Sequence, residues 1–266
     1  WDFHCDFRTM TMARVSRFSL PFFSAVLRSV FLLTVAGSAL AQPVLYEVDG
    51  KPYEGYFISP APKAPLVILL HDWDGLTDYE IKRAQMLQQA GYAVFAADLF
   101  GRGVRPTKVE DKRQHTGELY QDREKFRRLI SGAVNAAKAQ GGNLDNAVMM
   151  GYCFGGAAVL EHARSGANMK GFVTFHGGLS TPPGQSYANT RGSILVFHGS
   201  ADNMITLQDL AQLGTELEAH QIPHELISFG GAPHAFTVFD SDRYRQSADA
   251  QSWARFLRYL QTTLTE

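Results

Sequence analysis

The 266 residues are enough for one sizeable core or two small domains. A hydrophobic share of 45% with 19% charged residues is that of an ordinary folded chain, and excludes an extended low-complexity protein. The formal net charge of −1 gives no electrostatic reason to expect a nucleic-acid partner or an acidic polymer substrate.

The first segment differs from the rest. It starts on Trp1 rather than Met, and from Met12 to Ala41 it carries Arg14, Arg17 and Arg28 but no acidic residue and no lysine. Val30-Phe-Leu-Leu-Thr-Val-Ala36 is an apolar centre, and Ala39-Leu-Ala41 offers small residues before Gln42. This pattern predicts a secretory signal over residues 1–41, cleaved after Ala41, and hence a secreted or periplasmic protein. The apolar run is short for a membrane span, so no stable membrane association is expected once the signal is removed. An uncleaved anchor and an organelle transit peptide are the alternatives. The cysteines are Cys5 and Cys153. Loss of the signal would leave Cys153 without a disulfide partner in the mature chain, so it is either buried and inert or functional.

Beyond the signal, residues 46–58 predict an antiparallel edge hairpin. Pro65-Leu-Val-Ile-Leu-Leu70 is a continuous apolar run that predicts a buried strand ending at His71-Asp72. Residues 79–90 carry helical spacing and stop at Gly91. Residues 92–97 predict a second buried strand ending at Asp98, and residues 99–107 a loop rich in Gly, Pro and Arg. A long helix is predicted over about 122–139. Residues 146–150 predict a strand that runs into Gly151-Tyr-Cys-Phe-Gly-Gly156, with a helix over 157–163. Strands follow at 171–175 and 193–197, a helix at 207–219, a short strand at 224–228 and a last helix at 247–262. This alternation predicts one α/β domain over 42–266, with a mostly parallel central sheet and helices on both faces.

Ligands of such sheets bind beyond the carboxyl ends of the strands. Cys153 follows the strand at 146–150. Asp202 follows the strand at 193–197, in His198-Gly-Ser-Ala-Asp202, and His234 follows the last strand, in Gly230-Gly-Ala-Pro-His234-Ala-Phe236. Nucleophile, acid and histidine in this order, with the nucleophile in a Gly-x-Cys-x-Gly frame, match the order of a hydrolase triad. A thiol attacks as thiolate, and a helix N-terminus beside a histidine favours that form. His234 would take the proton and later activate water, and Asp202 would fix the imidazole tautomer. The amides of Phe154 and Trp73 are the candidate oxyanion donors. Taken singly, each residue has a structural reading: a small buried cysteine, a capping aspartate, a surface histidine. Their joint placement favours catalysis. His71, His176 and His198 also fall at strand ends, but in no metal-motif spacing, so no metal is expected.

With these residues placed, the chain resembles the dienelactone hydrolase family (carboxymethylenebutenolidase-like enzymes) from about residue 46 onward. Gly-Tyr-Cys-Phe-Gly-Gly, His-Gly-Ser-Ala-Asp, Gly-Ala-Pro-His-Ala-Phe and Asp98-Leu-Phe-Gly-Arg102 carry the resemblance. It implies an α/β-hydrolase fold, a Cys153–Asp202–His234 triad, no cofactor, and hydrolysis of lactones, enol esters or small activated esters through a thioester. It also implies an acidic residue near the resting thiol, here Asp72, one methylene shorter than the usual glutamate. Members acting on dienelactone hold its carboxylate with arginines, one of them at the position of Val238 in this chain. Arg102, Arg105, Arg243 and Arg245 remain for that role. Trp73, Phe154, Phe236 and Phe239 are candidates for an apolar pocket wall, which would suit a neutral or aromatic ester, and equally for core positions. Arg102 and Phe236 are taken as the substrate-binding pair, and a monomer is expected. A thioesterase or peptidase on the same fold, and a non-catalytic binding module, are the rival readings.

Overall fold

The structure, a computed structural model, describes residues 41–264. Apart from Ala41, the predicted signal lies outside the described residues. The elements are β1 (Gln42–Val48), β2 (Lys51–Ile58), β3 (Pro65–Leu70), α1 (Asp78–Gln89), β4 (Ala93–Ala97), α2 (Val109–Gln121), α3 (Arg123–Ala139), β5 (Asn143–Tyr152), α4 (Phe154–Arg164), β6 (Gly171–Phe175), β7 (Ser193–Gly199), α5 (Leu207–Ala219), β8 (His224–Phe229) and α6 (Gln246–Thr263). They build one eight-stranded sheet in the order β1-β2-β4-β3-β5-β6-β7-β8. The β1–β2 and β2–β4 pairs are antiparallel, and the rest are parallel.

The apolar runs become central strands because both faces of the sheet are covered. Side chains alternate across a strand, so Leu66, Ile68 and Leu70 of β3 join one core layer, while Val67 and Leu69 join the other. The first layer receives Phe126, Leu129 and Ile130 from α3, Val159 and Leu160 from α4, and Leu213 and Leu217 from α5. The second receives Ala84 and Leu87 from α1 and Phe256 and Leu260 from α6. A leucine such as Leu69, wholly buried, is worth about 1.5–3 kcal/mol against an exposed one.

The differences from the sequence reading that bear on the site are one helix and one helix start. Residues 109–121 form α2, in a stretch between the expected loop at 99–107 and the expected helix at 122 to which the sequence reading assigns no element. This helix buries Leu119 alone and so lacks the apolar stripe that marks an amphipathic helix. Asp122 ends α2 and caps α3, its carboxylate accepting the Lys125 amide at 2.9 Å. The helix after the Gly-rich turn starts at Phe154 rather than 157. That places Cys153 directly at its N-terminus.

Candidate active site

Cys153 sits on the turn between β5 and α4 with φ 50° and ψ −112°, a strained conformation for a residue with a side chain. The neighbouring glycines make this turn possible. A Cβ on Gly155 would lie 2.2 Å from the Leu70 carbonyl oxygen, and one on Gly151 would lie 2.3 Å from the Gly155 backbone. The Cys153 amide donates to the Phe175 carbonyl at 3.0 Å, which ties the turn to the end of β6. The thiol is partly exposed.

The end of β8 brings His234 to it. His234 Nε2 lies 3.1 Å from Cys153 Sγ, and Nδ1 donates to Asp202 Oδ2 at 2.7 Å. Asp202, just past β7, is fixed through its other oxygen, which accepts the amides of Met204 at 2.8 Å and Ile205 at 2.9 Å. Burial opposes charge on both partners. For Asp202 the hydrogen bonds from His234, Ile205 and Met204 prevail and hold the carboxyl below its usual range. For His234 the hydrogen bonds to Asp202 and Cys153 prevail and raise it to about 10. The three predicted residues therefore form one continuous hydrogen-bonded row, able to pass a proton from sulfur to imidazole and hold the resulting cation.

The opposite wall is the segment after β3. Asp72 is nearly buried, and its Oδ1 accepts the Asp74 amide at 2.8 Å. It borders the same cavity as Cys153, but the thiol's hydrogen bond among the described residues is to His234. Burial, opposed by the Asp74 amide and reinforced by the Asp74 charge, lifts Asp72 to about 6. Beneath it lies Glu80 of α1, which sequence reasoning missed. Glu80 accepts the Thr77 amide and hydroxyl at 2.9 and 2.8 Å and the Asp72 amide at 3.4 Å. Burial, joined by the charge of Asp72, lifts Glu80 to about 8. The only sequence signal for Glu80 was the Thr-x-x-Glu capping box at the head of α1.

Trp73 and Phe154 both border the cavity. Among the described residues neither amide is paired with a protein acceptor, which leaves two donors beside the thiol. The cavity has a volume of about 370 Å³ and is largely apolar, with Tyr120, Met204 and Ile205 in its wall. Arg113 of α2 and Arg243 stand at its exposed rim, and neither guanidinium pairs with a carboxylate among the described residues. Sequence reasoning missed Arg113 and Tyr120 because it missed α2. Arg102 does not reach the cavity; its Nε donates to Glu54 at 3.3 Å. Arg105 bonds the Leu76 carbonyl, and Arg245 those of Asp242 and Tyr244. Phe236 is fully buried against His176 and Phe229 rather than in the cavity wall. Phe239 and Val238 also lie outside that wall.

An eight-stranded, mostly parallel sheet with helices on both faces and a strand-to-helix turn carrying the central residue is the α/β-hydrolase fold. Residues 53–264 match the dienelactone hydrolase family, so the chain belongs to that family and is a carboxylic ester hydrolase. A Bradyrhizobium protein named "Probable 2-oxo-3-(5-oxofuran-2-ylidene)propanoate lactonase" is 27% identical over 208 residues, which cover 74% of this chain and 84% of that protein. A solved structure titled m3DLH superimposes with a TM-score of 0.81 at 29% identity, over 86% of this chain and all of its own. A dienelactone hydrolase-like promiscuous phosphotriesterase from metagenomic libraries does so with a TM-score of 0.80 at 27% identity, again over 86% of this chain and all of its own.

Proposed function

We propose that the chain hydrolyses small esters or lactones bearing a carboxylate, through a thioester on Cys153. The observation that carries this reading is the hydrogen-bonded row Cys153–His234–Asp202 at 3.1 and 2.7 Å, opening into the apolar cavity. Sγ gives its proton to His234 Nε2 and attacks the ester carbonyl carbon, and the carbonyl oxygen becomes an oxyanion facing the Trp73 and Phe154 amides. The C–O bond then breaks, and the leaving oxygen takes a proton from His234 Nε2. Water next attacks the thioester and gives a proton to His234, and the acid leaves as the thiol is restored.

Arg113 and Arg243 support the carboxylate part of the reading. They are cations that have no carboxylate partner among the described residues, at the rim of a wall that is otherwise largely apolar. The named substrate of the Bradyrhizobium relative is itself a lactone joined to a propanoate. Arg243 lies five residues beyond Val238 and would take over the role that the family gives to an arginine there. A guanidinium fork can hold a carboxylate by two parallel bonds.

The test is steady-state kinetics of the wild type, Arg113→Ala and Arg243→Ala on dienelactone and on a neutral short aryl ester. Loss of an exposed charge-assisted contact is expected to raise KM for dienelactone about tenfold, with little change for the neutral ester. An equal change for both substrates, or none, would show that the carboxylate is not held there.

A further inference from the structure

The strand-end histidine His71 takes no part in the proton-transfer row, yet it bonds the carbonyl of the peptide that carries the Trp73 amide and stacks on the ring of Phe154. It is wholly buried. Its Nε2 accepts the Leu99 amide at 3.0 Å, and its Nδ1 lies 2.6 Å from the Asp72 carbonyl oxygen. A backbone N–H can only donate and a carbonyl oxygen can only accept. These partners therefore assign the neutral tautomer with its proton on Nδ1. Burial agrees with that form, lowering His71 to about 4 against the pull of the Asp98 charge.

The carbonyl that His71 holds belongs to the peptide joining Asp72 to Trp73. That peptide is trans, so its N–H, the Trp73 amide, points opposite to its C=O. Fixing the carbonyl therefore fixes the direction of the candidate oxyanion donor. The same imidazole stacks on the Phe154 ring, with centroids 6.0 Å apart, and packs edge-on to Phe100 at 4.6 Å. Phe154 carries the other candidate donor. Leu99, the anchor of Nε2, follows β4, where Asp98 braces the loop by accepting the Phe100 and Gly101 amides at 3.0 and 3.1 Å. The ring thus links the ends of β3 and β4 to the start of α4.

We propose that His71 is a positioning residue for the oxyanion site: a neutral imidazole that orients the Asp72–Trp73 peptide so that the Trp73 amide faces the developing negative charge. The inference rests on the thioester reading above and adds to it a residue that touches neither substrate nor sulfur. An oxyanion donor acts on the transition state more than on the bound substrate, so its misplacement lowers kcat and leaves KM nearly unchanged.

Two substitutions separate positioning from bulk packing. An asparagine amide reaches the place of Nδ1, and His71→Asn keeps a donor for the Asp72 carbonyl. A glutamine amide reaches the place of Nε2, and His71→Gln keeps a partner for Leu99 but loses that donor. Wild type, both variants and Cys153→Ala are assayed on p-nitrophenyl acetate, with thermal unfolding followed in parallel. His71→Gln is expected to lose roughly 10²-fold in kcat, as for loss of one oxyanion donor, with KM within about threefold. His71→Asn is expected to recover most of that loss at equal or lower thermal stability. Equal kcat losses in the two variants, or a loss expressed in KM, would overturn the inference while leaving the thioester reading intact. If His71→Gln does not fold, His71→Asn decides: kcat within about tenfold of wild type supports the role, and a hundredfold loss overturns it. Full activity in Cys153→Ala would overturn the thioester reading itself, and the inference with it.

Discussion

The two walls of the cavity treat their acids in opposite ways. On one, Asp202 is surrounded by donors: the His234 ring and the amides of Met204 and Ile205. Its carboxyl is held below its usual range despite burial. On the other, Asp72 and Glu80 are buried next to each other, with amide and hydroxyl donors but, among the described residues, no cation in direct contact, and rise to about 6 and about 8. Burial acts on all three. The donors, and the sign of the nearest charge, decide the outcome. One wall thus keeps a permanent anion behind the imidazole. The other keeps neutral acid in the lower pH range beside the thiol, where a further negative charge would oppose formation of a thiolate. Environments that push like groups apart in this way are common where acid and base roles are divided.

Breaking the charged wall should have the largest effect. Cys153→Ala is expected to lower kcat/KM for a short aryl ester by at least about 10⁴-fold, because the amides and the cavity alone remain to assist hydrolysis. Asp202→Asn keeps the shape but removes the anion behind His234, and a loss of roughly 10³-fold in kcat is expected. Steady-state rates at neutral pH check both.

The neutral wall should show itself in stability instead of rate. A carboxyl raised above its unfolded value binds more protons in the folded state, so it disfavours folding as pH climbs from the unfolded value to the folded one. For Glu80 this window runs from about 4.5 to about 8, and for Asp72 from about 3.8 to about 6. Asp202 has the opposite sign: its contribution is present above the unfolded value and lost as pH falls through the lowered one. Urea midpoints of Glu80→Gln measured at pH 5 and pH 8 should therefore fall less with rising pH than those of the wild type. Asp72→Asn should flatten the profile over the lower part of the window. Parallel profiles in the variants and the wild type would mean that this wall is ionised throughout.

The charged wall was legible in the sequence and much of the neutral wall was not. Cys153, Asp202 and His234 each follow an apolar strand run, so a simple topological rule brings them together before any side-chain contact is known. The candidate oxyanion amides, one after the nucleophile and one after β3, follow from the same rule, and both residues border the cavity. Glu80 is the third residue of α1, in chain that reads as an ordinary helix start, and its burial depends on packing that a sequence does not display. The rim was the least legible part. The helix α2 has the sequence VEDKRQHTGELYQ, with acidic residues in its first turn and a Gln114–Glu118 pair on its surface. Those are helix signals, but the absence of an apolar stripe masked them. Missing α2 meant missing Arg113, Tyr120 and Lys112, whose ammonium pairs with Asp74 at 2.5 Å and lies over the Trp73 ring. Arg102, expected at the substrate, is turned instead toward Glu54.

A covalent acyl group on Cys153 is tested by peptide mass analysis of the protein quenched in acid during turnover of p-nitrophenyl pivalate, whose hindered acyl group leaves slowly. A pivaloyl increment is expected on the peptide containing Cys153, forming with the nitrophenol burst and absent from Cys153→Ala. An increment on another residue, or an unmodified Cys153 peptide during a full burst, would contradict it.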